Sequence, residues 1–304
     1  MNLSRRLIGM QTIPFKTILS SYREHGWFGS NYTVNLYRGC SHGCIYCDSR
    51  SECYRLDSFD TVFAKKHATS ILQQELSSKK KKGLILTGSM GDPYNPFEAT
   101  EHLTRDMLHL IDRYGFGITL LTKSSLVTRD IDLFEKIQTH LPCAVSITIT
   151  TADDTISKRI EPGVSLSSER FTALKELSAH NILSGVTLMP TLPFITDTKE
   201  NISAIISQAK ASGASWVYAE KMLAVSLRDR QRDYFYQQLD ERFPGIKMQY
   251  EKAFGDQYWC ETPNKTLWDH FVHECDAHGI IYSMHEIERL IRKRNDVQMS
   301  LFES

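Results

Sequence analysis

No stretch of this sequence is apolar for long enough to cross a bilayer as a helix. Residues Met1 to Arg6 also lack the apolar core of a signal peptide. An excess of charge of one sign is missing as well. The 36 basic and 36 acidic side chains cancel, which removes a global field for polyanions and leaves room only for local basic surfaces. No internal repeat is visible. The seven cysteines are odd in number and include no second, separated C-x2-4-C pair, since Cys53, Cys143, Cys260 and Cys275 stand singly. That argues against a disulfide framework and against a four-cysteine zinc ribbon. What remains is a chain of 304 residues, 41% apolar and 24% charged, expected in a reducing cytoplasm and long enough for a sizeable core.

Against this background three cysteines crowd together. Cys40, Cys44 and Cys47 form C-x3-C-x2-C, with an aromatic residue, Tyr46, just before the third. Three soft thiolates are one short of a closed tetrahedral site. They suit a four-iron cluster with one iron left to a non-protein ligand. A zinc knuckle completed by His42 or a distant residue is the other reading of the triad.

Apolar runs rich in β-branched residues alternate with helical patterns. Strands are expected at Tyr32–Tyr37, Leu84–Thr87, Ile118–Thr122, Ala144–Thr150, Val186–Met189 and Trp216–Glu220. Helices are expected near Thr61–Leu76, Thr100–Arg113, Arg129–His140, Ser168–His180 and Lys199–Ala211, the last opened by an Asp197-x-x-Glu200 capping box. Gly115 and Gly213 suit helix C-caps. The pattern predicts an α/β fold, a partial (β/α)6 TIM-type barrel with an α-rich C-terminal extension. Its expected parts are a lead-in (1–30), the barrel (31–223), the extension (224–296) and a flexible tail (297–304). In the extension, Ala224–Leu239, Thr266–His278 and Met284–Lys293 suggest helices and Lys247–Tyr250 a short strand. Lys79–Lys82 suggests a solvated turn, with a nucleic-acid contact as the other reading.

Barrels of this kind carry their chemistry in the loops after the strands. The triad follows the first expected strand. After the second comes Thr87-Gly88-Ser89-Met90-Gly91-Asp92-Pro93-Tyr94-Asn95-Pro96-Phe97-Glu98, then Thr104-Arg105. Its glycines allow close backbone approach, and Ser89, Asp92 and Glu98 offer polar groups to a cofactor. After the third comes Thr122-Lys123-Ser124-Ser125-Leu126-Val127-Thr128-Arg129-Asp130. Arg159-Ile160-Glu161-Pro162 with Arg170 follows the fourth, and Met189-Pro190-Thr191-Leu192-Pro193 the fifth. Together with the triad, these motifs resemble the radical S-adenosylmethionine (SAM) superfamily, in its spore-photoproduct-lyase-like branch, over roughly residues 10 to 220.

The resemblance implies a 4Fe–4S cluster on Cys40, Cys44 and Cys47, with SAM as its ligand. It also implies reductive cleavage of SAM to a 5′-deoxyadenosyl radical that takes hydrogen from a substrate. Tyr46, Ser89, Asp92, Lys123, Ser146 and Arg170 are the candidate cofactor-binding residues, with Lys123 set against the cofactor carboxylate and Ser146 against the ribose. Arg159 and Glu161 are expected to pair and position their loop. The lyase of that branch has a hydrogen-donating cysteine in the second-strand loop, which this chain lacks. Cys260, beside Tyr258 and Trp259, is the substitute expected if the extension folds over the barrel mouth. Expected partners are a DNA or RNA substrate and an electron donor such as flavodoxin or ferredoxin, with no membrane. Gln298-Met299-Ser300-Leu301-Phe302 resembles the peptide by which bacterial repair proteins dock on the sliding clamp. The substrate classes open from sequence are a nucleic-acid base, an RNA, a peptide or a small metabolite. A non-catalytic zinc adaptor is the rival from outside enzymology.

Overall fold

The computed structural model describes residues 10–300 apart from His25 and Asp57, with side chains through Lys293. Six parallel strands form its centre: β1 (Tyr32–Val34), β2 (Leu84–Thr87), β3 (Gly117–Thr122), β4 (Cys143–Thr148), β5 (Leu183–Thr187) and β6 (Val217–Tyr218). They lie side by side in chain order, and Leu19–Ser21 adds an antiparallel edge to β1. Helices α1 (Ala68–Ser78), α2 (Leu103–Arg113), α3 (Ile131–Ile137), α4 (Ser167–Ala179) and α5 (Lys199–Ala211) form the connections. Sequential order with helical crossovers curls the sheet into a partial (β/α)6 barrel.

The continuous apolar character of the strands follows from burial on both faces. Alternate residues such as Ile85, Ile118, Leu120, Val145 and Val186 face outward into a core with Leu72, Met107, Phe134, Leu174 and Ile205 of the helices. Leu84, Leu86, Leu121, Ala144 and Leu183 face inward. What they meet there was not legible in the sequence. Phe28 comes from the expected lead-in, and Ile287 and Ile291 come from α9 (Met284–Ser300). With Trp216 these side chains fill the barrel interior, and Gly185 makes room, since a Cβ there would lie 2.3 Å from the Trp216 ring.

The expected extension therefore divides. Helix α8 (Leu267–His278) packs on α5 and places Leu267, Phe271 and Cys275 in the outer core. Beyond it, Ile281 bridges to Trp216 at the open edge of β6. Only residues 224–261 build a separate unit, comprising an antiparallel ribbon (Ala224–Ser226 with Trp259–Glu261) and helices α6 (Asp229–Arg242) and α7 (Ile246–Phe254). Its core of Phe235, Leu239, Tyr250 and Phe254 continues into Cys44, Ile45 and Tyr46.

Several expected elements differ. The expected Tyr32–Tyr37 strand breaks after Val34, and Tyr37–Arg38 joins a second sheet with Phe63–Lys65 and Thr12–Ile13. Phe63–Lys65 in turn delays the helix expected from Thr61 to Ala68. Lys247–Tyr250 is helical, because Ile246, Tyr250 and Phe254 recur at four-residue spacing and turn one face to the small core. The capping box shifts by one residue. Thr198 caps α5 by accepting from the Asn201 amide, while Asp197 accepts from the Thr262 hydroxyl. Gly115 and Gly213 do adopt left-handed turns just past α2 and α5. Lys79 and Lys82 stack over Tyr32 and Phe116 at the N-terminal end of the strands, opposite the chemistry. Helix α9 runs through Ser300, into the segment expected as a tail. Leu301 and Phe302 of the clamp-like peptide lie outside the described residues.

Because Ile287 plugs the barrel, Ile287→Ala should lower unfolding free energy by about 2–5 kcal/mol. Urea denaturation would read this as a lower midpoint, and an unchanged midpoint would contradict the plug.

Candidate active site

The cysteine loop has little regular structure and is shaped by its contacts. Gly39 turns the chain with φ +84°, where a Cβ would lie 2.2 Å from the Thr61 carbonyl oxygen. The Cys40 amide donates to the Phe59 carbonyl (2.9 Å). On its far side the loop joins the segment after β4, as the Ile45 amide donates to Ile160 and the Gly163 amide donates to His42, each at 2.9 Å. Tyr46 donates its hydroxyl to the Glu161 carboxylate, and Gln231 of α6 donates to the Tyr46 carbonyl (3.0 Å).

All three cysteines are free and line one cavity of about 320 Å³ at the C-terminal ends of the strands. Gly88 to Asp92 form the wall after β2, Lys123 the wall after β3, and Thr148, Thr187, Met189 and Pro190 the walls after β4 and β5. Gly88 has φ +97°, and a Cβ there would sit 1.9 Å from the Leu121 carbonyl oxygen, so this wall needs glycine. Burial pushes the Cys40 thiol up to about 11, helped by the Asp92 charge, and raises Cys44 and Cys47, with Lys123 opposing at both. Metal binding would release those protons. Burial would lower the Lys123 ammonium, but Cys44, Glu161, Cys47 and Asp92 together hold it above its ordinary value.

The donor set fits an open cluster. Soft thiols stand on a single loop, the Ser41 hydroxyl between two of the ligand positions is buried with no hydrogen-bond partner, and the lined cavity has room for an exogenous ligand. Among the described residues, no three His, Cys, Asp or Glu side chains converge to chelate a single ion. His42 turns its Nδ1 to Asp92 (3.5 Å).

The expected site residues separate into those that reach the cavity and those that brace it. Tyr46, Ser89, Asp92 and Lys123 line it. The Asp92 carboxylate nevertheless belongs largely to the wall, since it accepts from the Thr122 hydroxyl (2.6 Å), the Lys123 amide (2.7 Å) and the Tyr94 amide (2.9 Å). Ser146 does not reach the cavity. It lies inside the barrel between Thr187 (2.7 Å) and the Trp216 indole (3.3 Å). Arg170 is fully buried behind β4, donating to Glu161, Ser157 and the Thr148 and Ser165 carbonyls. Glu161 therefore pairs with Arg170 at 2.5 Å and not with Arg159. The Arg159 guanidinium stacks on Phe243 and donates to the Arg242 carbonyl. Burial opposes ionisation of Glu161, but Arg170, Lys123 and the Tyr46 hydroxyl hold its carboxyl below the usual range. Loss of one partner would leave a buried charge unpaired, at a cost of about 3–5 kcal/mol.

The remaining motif residues form a second brace. Glu98, expected near a cofactor, is fully buried and accepts from Tyr37, the Thr104 amide and Arg129. Asp130 accepts from Tyr94, Arg105 and Arg129. These bonds tie the loops after β2 and β3 together.

Cys260 and Tyr258 are not brought to the cavity. In the ribbon Cys260 opposes Val225 and turns into the small core, where burial raises its thiol to about 11. Tyr258 lies on the surface between Trp259 and Arg228. Strand alternation delivers their neighbour Trp259 instead, which lines the cavity while remaining 44% exposed. Trp27, Tyr54, Glu220 and Met222 also line it and carry no local sequence signal, since only tertiary packing brings the lead-in, the loop after the triad and the post-β6 turn to the cavity.

Residues 34–204, more than half of the chain, match the Radical SAM superfamily. The chain belongs to this superfamily, and a 4Fe–4S cluster and SAM are its cofactors. An uncharacterized protein of Mycobacterium tuberculosis is 28% identical over 230 residues, covering 73% of this chain and 67% of that protein. One from Methanocaldococcus jannaschii is 33% identical over 174 residues, covering 56% and 64%. In structure the chain is similar to spore photoproduct lyase complexed with dinucleoside spore photoproduct. The TM-score is 0.61 at 13% identity, with 88% of this chain and 79% of that one covered. A mutant of that lyase with bound AdoMet gives 0.60 at 13% identity, covering 82% and 74%. At this identity the likeness concerns the fold.

Two substitutions test the site. Cys44→Ala should abolish an iron content of about four per chain after anaerobic reconstitution, and retained iron would contradict the ligand assignment. Cys260→Ala should leave SAM cleavage at the native rate, and its loss would return Cys260 to the chemistry.

Proposed function

We propose that this radical SAM enzyme abstracts hydrogen from a nucleic-acid base presented at the barrel mouth, in repair or modification. One observation carries the reading: the cavity that holds the triad is also lined by the aromatic rings of Trp27, Tyr54 and Trp259, with Trp259 and Met90 each 44% exposed. Aromatic faces stack bases of any sequence at about 1–3 kcal/mol each. The lining carries Asp92 and Glu220 against Lys123, while Asp48 is paired with Arg228 (2.7 Å), so the interior offers a phosphate backbone no excess of positive charge and suits an uncharged base better.

When bound, the cluster and SAM supply a 5′-deoxyadenosyl radical by one-electron reduction. The residues of this chain hold and shield. Cys40, Cys44 and Cys47 would hold the cluster, Lys123 would meet the carboxylate of SAM, and the glycine wall would let the ligand approach the backbone closely. The braced loops fix these groups before the ligand arrives.

Dithionite-reduced protein should cleave SAM to 5′-deoxyadenosine and methionine. Colourless protein carrying one zinc, with no cleavage, would overturn the enzyme reading. Trp259→Ala should weaken binding of a single-stranded oligodeoxynucleotide by roughly tenfold, measured by fluorescence anisotropy, while cleavage without substrate persists. Native protein that binds no oligonucleotide would remove the base as substrate.

A further inference from the structure

We propose that Glu161 and Arg170 are positioning residues that set the electron affinity of the cluster, acting through the cysteine loop and resting on the cofactor reading above. Neither side chain lines the cavity, and both are fully buried. Their place is unusual because the pair closes the seam along which the cysteine loop meets the segment after β4. Glu161 accepts from the Tyr46 hydroxyl, and Tyr46 stands between Cys44 and Cys47 in sequence. On either side of that bond, the Ile45 and Gly163 amides join the two loops backbone to backbone. A Cβ on Gly163 would come within 2.9 Å of the Ser41 and His42 carbonyl oxygens, so the seam is tight.

Arg170 then fixes Glu161 to the scaffold. Its guanidinium reaches the carboxylate (2.5 Å) and the Thr148 carbonyl (2.7 Å) at the end of β4, and also the Ser157 hydroxyl and the Ser165 carbonyl (each 2.8 Å). One planar fork thus links strand, helix and loop, a task for which lysine lacks the geometry.

The electrostatic consequence follows from charge alone. The potential of an iron–sulfur centre depends on the net charge around it and on groups beyond its direct ligands. Reduction adds an electron, so a nearby buried carboxylate disfavours it and a nearby guanidinium favours it. Here the two compensate, while Lys123, His42, Asp92 and Tyr46, titratable groups that also act on this locus, remain in place. Neutralising one member should therefore shift the potential in one direction, and neutralising the other should shift it in the opposite direction. Loosening of the fold alone would not produce opposite signs.

The test is redox titration of the reconstituted protein followed by electron paramagnetic resonance, with iron counted per chain. Glu161→Gln, which preserves shape, should raise the midpoint potential. Arg170→Met should lower it, and Glu161→Gln combined with Arg170→Met should return it toward the native value. Arg170→Lys, which keeps the charge, should hold the potential near native even if iron retention falls. If Arg170→Met does not fold, Glu161→Gln decides alone, an upward shift supporting the proposal. Unchanged potentials, or shifts of one sign in both single variants, would overturn it. Native protein that takes up no cluster would instead sink the cofactor reading, and so the two failures are distinguishable.

Discussion

The structure depends on a buried carboxylate between a tyrosine and an arginine. The cysteine loop must leave the second sheet at Gly39, place three thiols on one cavity and return to the surface, with almost no hydrogen bonding of its own. Glu161 supplies the fixed point. Its pairing with Arg170 and Tyr46 converts an irregular loop into part of the barrel wall, and the two flanking amide bonds leave little freedom to slip. An ionised group at full burial is tolerated because its partners are charged or hydrogen-bonded and equally buried.

The same strategy recurs around the site. Glu98, Asp130, Arg105 and Arg129 cross-brace the loops after β2 and β3, and Asp92 ties the Gly88–Gly91 wall to Lys123. Polar residues that a motif suggests for ligands are used one layer behind the cavity to hold its backbone. The mouth has a different character. The ribbon of the small unit brings Trp259, the lead-in brings Trp27, and the loop after the triad brings Tyr54. A braced polar base thus adjoins a cavity lining that includes these three aromatic rings.

Sequence alone carried the barrel and the triad well, because both rest on local signals. Buried parallel strands read as largely apolar runs, and three cysteines within eight residues constrain each other directly. Contacts between distant segments were not legible. Nothing near Phe28, Ile287 or Ile291 announces that they fill one barrel, and Arg170 has the same sequence signature whether it touches a ligand or a carboxylate. Cys260 differs from its expected place by a single residue, because strand alternation turns Cys260 into the small core and Trp259 to the cavity. Proximity in sequence suggests an Arg159–Glu161 pair, whereas the fold sets Arg159 on Phe243 of the small unit and Glu161 on Arg170.

The central claim is that the triad leaves one iron of a four-iron cluster for SAM to occupy. Electron paramagnetic resonance of the dithionite-reduced, reconstituted protein tests it most directly when SAM is added. The account predicts a cluster signal whose g-values change on addition of SAM. A signal that SAM leaves unaltered would contradict it.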